Sequence, residues 1–225
     1  MTRKITILFI INPISGTGEN KVVEKLIKKE LAYSKFEVSI RYTEAVGHAT
    51  EIAKEGVKAC VDVIVAVGGD GSVNEVAKGL IGTNVKMGII PAGSGNGFAR
   101  HLNIPMDKRK AVLLLNKLYS KSVDTASVND QVFVGTAGVG FDAHIGLKFD
   151  EAPTRGFWTY LKLTFKEYFN YREQTYKIAI DQKKTIDEKA FFMSFCNTNQ
   201  WGNNVFVSPN SDIEDGLIKV VLIRK

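Results

Sequence analysis

The stretch VIVAVGGDGSVNEVAKGL, residues 63–80, decides how the chain is read. Val63 to Val67 is an unbroken apolar, β-branched run, the pattern of a strand buried on both faces. Gly68, Gly69 and Gly71 then bracket Asp70, and from Ser72 to about residue 81 apolar residues return at helical spacing. Glycine weakens both a strand end and a helix start. Three of them at this junction mark a turn that needs bare backbone and one carboxylate together.

Outward from this junction the same alternation repeats. Residues 5–11 read as a strand, and 20–31 as a helix with apolar residues at 22, 23, 26, 27 and 31. Residues 36–43 follow as a strand, then a helix over 49–60 with Ile52, Ala53 and Val57 on one face. After the strand 61–67 and the helix 72–81 come a strand over 85–90, a short helix over 97–102 and a helix over 108–118. Strands alternating with helices predict a parallel sheet covered on both faces. Near residue 122 the pattern changes. Residues 132–135, 176–181, 190–196 and 218–223 read as strands without crossover helices, interrupted by one helix at about 159–171. The predicted fold is therefore an α/β domain over residues 1–122 and an antiparallel β domain over residues 123–225.

The 225 residues are 44% hydrophobic and 24% charged, with a net charge of +6. This is ordinary for a globular protein. The mild positive excess suits a phosphate-rich ligand or an anionic surface, and it is too small and too scattered to argue nucleic acid. No run of about 18 apolar residues predicts a membrane span. The basic, apolar start MTRKITILFIINP has a short, β-branched core and no small-residue cleavage site, so it reads as the first strand rather than a leader. Cys60 and Cys196 sit in apolar contexts without a C-x-x-C and read as reduced, buried thiols of a cytosolic protein.

Three glycine-rich turns fall at the carboxyl ends of predicted strands, where open α/β sheets bind ligands. They are Asn12-Pro13-Ile14-Ser15-Gly16-Thr17-Gly18, Gly68-Gly69-Asp70-Gly71-Ser72 and Pro91-Ala92-Gly93-Ser94-Gly95-Asn96-Gly97. Each precedes a helical pattern, so backbone N–H groups and the positive end of a helix dipole face outward, a site for phosphate. Three such turns suit a polyphosphate, whereas any one alone reads equally as a plain connection. Ser72-Val73-Asn74-Glu75 also fits a capping box. A carboxylate beside a phosphate cradle is repulsive unless a cation intervenes; Asp70 is read as a partner for Mg²⁺ or as a proton acceptor for an attacking hydroxyl, against a role confined to the turn. No P-loop and no G-x-G-x-x-G after the first strand is present, which disfavours those nucleotide folds. His48 reads as a cap or packing residue. The aromatic helix near Trp158, Tyr160, Phe165, Tyr168 and Phe169 reads as core, or else as a wall for an acyl chain or a bilayer contact.

These residues resemble the diacylglycerol kinase catalytic-domain family, which includes bacterial lipid kinases of the YegS and DgkB type, sphingosine kinases and ceramide kinases. The resemblance runs through Asn12-Pro13 with Ser15-Gly16, Thr43 with Gly47-His48-Ala49, and Gly68-Gly69-Asp70-Gly71-Ser72 with Asn74-Glu75. It continues in Pro91 to Asn96 with Phe98-Ala99-Arg100, in Gly138-Val139-Gly140-Phe141-Asp142-Ala143, and in Ser208-Pro209-Asn210 with Asp215-Gly216. It covers essentially the whole chain, and the GGDG element is its most specific part.

The resemblance implies an N-terminal nucleotide domain, a C-terminal β-sandwich and a site in the cleft between them. It implies Mg²⁺-dependent transfer of the ATP γ-phosphate to a lipid hydroxyl. By position, ATP would be held by Asn12, Pro13, Ile14, Ser15, Gly16, Thr43, Gly68, Gly69, Asp70, Gly71, Ser72, Asn74, Glu75, Gly93, Ser94, Gly95 and Asn96. A structural Mg²⁺ would be held by Asp212, Asp215 and the carbonyl of Leu217, with Asp124 joined to that network. A cytoplasmic protein at the inner membrane face is implied, with a lipid substrate, no nucleic acid and room for a homodimer.

Two departures qualify this expectation. Gly97 stands where bacterial members commonly carry Asp, which is closer to sphingosine kinases. The Asp-Gly-Glu whose acid serves many members as general base is not matched: Asp215-Gly216 is followed by Leu217. The expectation is a fragment of a longer chain, with Asp70 as the catalytic residue at hand. The competing readings are an enzyme like NAD kinase with a soluble acceptor, and a non-catalytic nucleotide- or lipid-binding module.

Overall fold

The computed structural model describes residues 3–16, 20–154, 157–181 and 183–225. The first half alternates as its apolar periodicity requires: β1 (Ile5–Ile11), α1 (Asn20–Glu30), β2 (Phe36–Tyr42), α2 (His48–Lys58), β3 (Val63–Gly68), α3 (Asp70–Leu80), β4 (Lys86–Pro91), α4 (Gly97–His101) and α5 (Lys108–Leu115). The strands form one parallel sheet in the order β2-β1-β3-β4, with Ile7 opposite Val63 and Val63 opposite Lys86.

Alternation along the strands divides the apolar residues between two cores. Leu8, Ile10, Ile64, Ala66 and Ile89 face α2, α3 and α4. Ile7, Phe9, Ile11, Val63, Val65 and Val67 face α1 and α5. On α3 the buried stripe is Val73, Val76, Ala77 and Leu80, at i, i+3, i+4 and i+7. Helices α2 and α3 cross closely at Gly79, where a Cβ would lie 2.6 Å from the Ala53 Cβ. Asp107 caps α5, its carboxylate accepting the Lys110 N–H at 2.8 Å.

The second half contains β5 (Ala126–Val128), β6 (Gln131–Phe133), β7 (Thr136–Gly140), α6 (Phe141–Asp150), α7 (Phe157–Tyr168), β8 (Gln174–Ile180), β9 (Lys184–Ala190), β10 (Phe192–Cys196), β11 (Gln200–Gly202), β12 (Val205–Phe206) and β13 (Lys219–Ile223). All its pairings among the described residues are antiparallel: a three-stranded sheet β13-β10-β7, and the two-stranded ribbons β5-β6, β8-β9 and β11-β12. A small aromatic core of Phe141, Ile145 and Phe191, with Tyr160 and Tyr171 against it, joins α6 and α7 to this sheet. Val123 and Val134 pack instead on the core of the first half.

The predicted class is the observed one, an α/β half followed by antiparallel sheets. Some elements differ. The helix expected near 159–171 is α7 at Phe157–Tyr168, and α6 precedes it where none was expected. α6 was hidden because FDAHIGLKFD carries a mid-helix Gly146 and a polar, irregular apolar pattern. Ser72 does not start α3, which begins at Asp70. Cys196 is buried as expected, but Cys60 is exposed, just past α2 with φ +56°.

Candidate active site

Because β1, β3 and β4 are neighbours in the sheet, the segments leaving their carboxyl ends meet. They meet backbone to backbone. A Cβ on Gly93 would stand 2.4 Å from the Gly69 Cα, and one on Gly16 would stand 2.3 Å from the Ala92 carbonyl oxygen. Gly16 also has φ +62°, a left-handed conformation that favours glycine. Glycine is thus required by the approach of the turns to one another. Thr17 and Gly18, read as the end of the first turn, lie outside the described residues.

Asn12 ties the first two turns together. Its side-chain Oδ1 accepts the Ile14 N–H at 3.1 Å, its carbonyl accepts the Ser15 hydroxyl at 2.9 Å, and its Nδ2 donates to Ser72 Oγ at 3.1 Å. Thr43 sits beside them, its N–H donating to the Ile11 carbonyl at 2.9 Å. Pro13, Ile14 and Ser94 are exposed on the rims.

The capping box is not formed. Ser72 is bonded to Asn12, Gly69 holds the N-cap position with no side-chain cap, and the Glu75 carboxylate accepts the Ala49 N–H at the start of α2. The first N–H groups of a helix have no intrahelical partner. Nothing outside the helix lies within 4 Å of where a Gly71 Cβ would be, so the first turn of α3 is open at that position.

Asp70 stands in that first turn, half-buried. Its Oδ1 accepts the Phe98 N–H at 3.1 Å, fixing the carboxylate between the second and third turns. Its Oδ2 faces Gly95, whose Cβ would lie 3.3 Å away.

The third turn is closed by Asn96, in a left-handed conformation at φ +54°. Gly93 N–H donates to Asn96 Oδ1 at 3.0 Å, and Asn96 Nδ2 donates to the Gly93 carbonyl at 2.8 Å. The second half buttresses it. From it the Asn203 N–H donates to the Gly95 carbonyl at 3.2 Å, alongside Arg100 Nε of α4 at 3.1 Å, and Gly202 bridges to Asn96. The sequence reading assigned nothing to residues 197–204. The available signal was a polar run after a strand: Asn197, Thr198 and Gln200 are only 0%, 1% and 5% exposed.

Two residues expected in the cradle are turned elsewhere. Asn74 donates to the Val132 carbonyl and accepts from the Val134 N–H, both at 3.2 Å, so its amide fastens the second half to α3. Glu75 serves α2, as above. His48 is local, its Nδ1 accepting the Glu44 N–H at 3.1 Å.

Asp212, Asp215 and Leu217 share one loop before β13. Asp215 Oδ2 pairs with Lys219 Nζ and its Oδ1 accepts the Leu217 N–H, both at 2.9 Å. Those bonds, the lysine's first, hold the Asp215 carboxyl below its ordinary range. Asp124 reaches the same loop, its Oδ2 accepting the Gly216 N–H at 2.7 Å. No group of three or more acidic, histidine or cysteine side chains is set to hold a metal among the described residues. The donors are oxygens, as Mg²⁺ requires, but a cation here would compete with Lys219 for Asp215.

An open parallel α/β sheet with three glycine turns and a carboxylate at its carboxyl edge, coupled to antiparallel sheets, defines the class. Residues 6–128 match the diacylglycerol kinase catalytic domain, and residues 135–225 match the YegS C-terminal NAD kinase beta sandwich-like domain. The chain belongs to the diacylglycerol kinase catalytic-domain family. It is 30% identical over 225 residues to the diacylglycerol kinase of Bacillus subtilis, a match covering 96% of this chain and 73% of the relative. It is 38% identical over 152 residues to an uncharacterized protein of Synechocystis, covering 63% of this chain and only 35% of that one. A crystal structure of a diacylglycerol kinase from Bacillus anthracis superposes with a TM-score of 0.78 at 28% identity, over all of this chain and 78% of the other.

Proposed function

We propose that this protein transfers the γ-phosphate of ATP to a hydroxyl of diacylglycerol or a closely related lipid. The observation that carries the reading is Gly71. It sits in the first turn of α3 beside Asp70, and no neighbour demands a glycine there, since nothing lies within 4 Å of where its Cβ would be. Close approach of a phosphate to the α3 backbone accounts for it, whereas Gly16 and Gly93 are accounted for by packing. The family's relatives, named diacylglycerol kinases, support the lipid as acceptor.

In this reading the N–H groups of the three turns bind the phosphates and oppose the charge that develops during transfer. Asp70 is held by Phe98 so that Oδ2 faces the cradle. From there it meets a phosphate-bound cation or accepts the proton of the attacking hydroxyl. Mg²⁺, when bound, neutralises charge between phosphate oxygens, and a single carboxylate with the phosphates suffices to hold it. Asp212, Asp215 and the Leu217 carbonyl are assigned a structural cation only in exchange for Lys219.

The test is transfer of labelled phosphate from ATP and Mg²⁺ to diacylglycerol, sphingosine, ceramide and phosphatidylglycerol in detergent micelles, with NAD alongside. Labelled lipid is expected, reduced at least a hundredfold in Asp70→Asn. Gly71→Ala is expected to melt no lower than the parent yet to lose ATP binding. Labelled NAD without labelled lipid would assign a soluble acceptor, and ATP binding without product would make the chain a binding module.

A further inference from the structure

Helix α4 is only five residues long, and it is held at both ends. At its start the Phe98 N–H donates to Asp70 Oδ1 at 3.1 Å. At its end His101 Nδ1 accepts the Asn199 N–H, also at 3.1 Å. A ring nitrogen that accepts a hydrogen bond carries no proton, so this bond requires the neutral imidazole with its hydrogen on Nε2. Among the described residues it is the one hydrogen bond that His101 makes through its ring.

Asn199 is where the second half takes hold of α4. Its carbonyl accepts the Val207 and Ser208 N–H groups at 3.0 and 3.1 Å, and its Oδ1 accepts Gln200 Nε2 at 3.4 Å. From Asn199 the chain runs straight to the third turn, where the Asn203 N–H reaches the Gly95 carbonyl and Gly202 bridges to Asn96. The fit there is close: a Cβ on Gly97 would stand 2.8 Å from the Gln200 carbonyl oxygen, and one on Gly202 2.6 Å from the Gly95 Cα. The charged groups around α4 are otherwise engaged. Arg100, on α4 itself, donates to the Gly95 carbonyl and to Asn204 Oδ1. On α3, Asp70 is bound at the opposite end of α4, Glu75 accepts the Ala49 N–H and Lys78 donates to Gln131 Oε1. Strand β11, packed on α4, carries no titratable side chain.

We infer that His101 is a positioning residue: neutral, it fastens residues 199–203 to α4 and so fixes the third turn, and protonated, it releases them. Imidazolium carries a hydrogen on both nitrogens, so Nδ1–H would face the Asn199 N–H, donor against donor. Histidine changes charge between about pH 5 and 8, which makes the hold on the third turn sensitive to mild acid. The bond and its release stand on the geometry; only the consequence for ATP rests on the nucleotide reading of the three turns.

The experiment is nitrogen NMR of the histidine rings and of the Asn199 amide in the full chain between about pH 5.5 and 7.5, with ATP affinity measured by calorimetry over the same range. His101→Asn and His101→Leu are carried through both. Asparagine offers an oxygen near the Nδ1 position and does not titrate, whereas leucine offers no acceptor. The ring signals missing from His101→Asn are expected to report a bare Nδ1 and a protonated Nε2 at neutral pH. Exchange of the Asn199 amide, corrected for its intrinsic rate, is expected to quicken about tenfold toward the acid end in the parent and to stay level in His101→Asn. From the neutral to the acid end, ATP affinity is expected to fall about fivefold further in the parent than in His101→Asn, the protonation of ATP itself being common to both. His101→Leu is expected to bind about fivefold more weakly than His101→Asn at neutral pH. A hydrogen on Nδ1 at neutral pH overturns the inference. So does an Asn199 amide whose corrected exchange ignores pH, or a parent and an asparagine variant with the same pH profile. If His101→Leu does not fold, the ring signals and the asparagine variant decide. A chain that binds no ATP at any pH refutes the nucleotide reading, while the ring nitrogens and the Asn199 amide still decide what His101 does.

Discussion

Strands β3 and β8 are nearly the same length and of opposite kind. Every residue of β3 is buried, whereas none of β8 is. The first is clamped between two helix layers and ends in the turn that carries Asp70. The second pairs only with β9 among the described residues and leaves most of its side chains in solvent. The difference teaches where each kind of work is done. The three turns meet backbone to backbone, and a doubly covered parallel sheet supplies the rigidity that such close approach needs. The second half spends less apolar area on itself, and α7 turns outward aromatic surface that β3 has no equivalent of.

The sharpest way to break the comparison is to empty both regions. Phe9→Ala, in the core beneath β1 and β3, is expected to cost about 3–5 kcal/mol in urea unfolding. Ile178→Ala on β8 is expected to cost under about 1.5 kcal/mol. Equal losses would mean that the two halves bury their strands alike. Next in size is Gly93→Ala, where the added methyl meets the Gly69 backbone. A loss of about 1–3 kcal/mol together with lost ATP affinity is expected, against Gly71→Ala, which should lose affinity alone.

The smallest effect sits in the second half. Burial pushes the Asp142 carboxyl up from its ordinary range. A carboxyl raised on folding favours the native state while protonated, and that stability is lost as pH rises through the folded value. Asp142→Asn is therefore expected to raise the melting temperature at pH 7, with the gain fading as pH falls toward about 4, the ordinary aspartate value. A gain independent of pH would place the cause in packing.

Much of the first half was legible because burial on both faces writes itself into sequence. Val63 to Val67 has no polar residue to confuse with a helix, and the glycines after it break the period abruptly. The second half was less legible for the same reason inverted. Half-exposed short strands and α6, with Gly146 and a scattered apolar pattern, carry little period to read. The cradle's glycines were visible, but their duties were not. Sequence spacing fits Ser72 to a capping box with Glu75, yet the serine answers Asn12 from 60 residues away, and the glutamate caps a different helix.

By itself the sequence determined that three glycine turns and one carboxylate stand at strand ends, because local backbone conformation and apolar periodicity are short-range properties. Only the tertiary structure decided which glycines are needed by packing and which is left open. It alone showed that Asn74 and Glu75 are spent on other elements, that residues 197–204 brace the third turn, and that the aromatic face of α7 points outward. Each of those depends on which distant backbone arrives at a given point, and a local pattern carries no record of that.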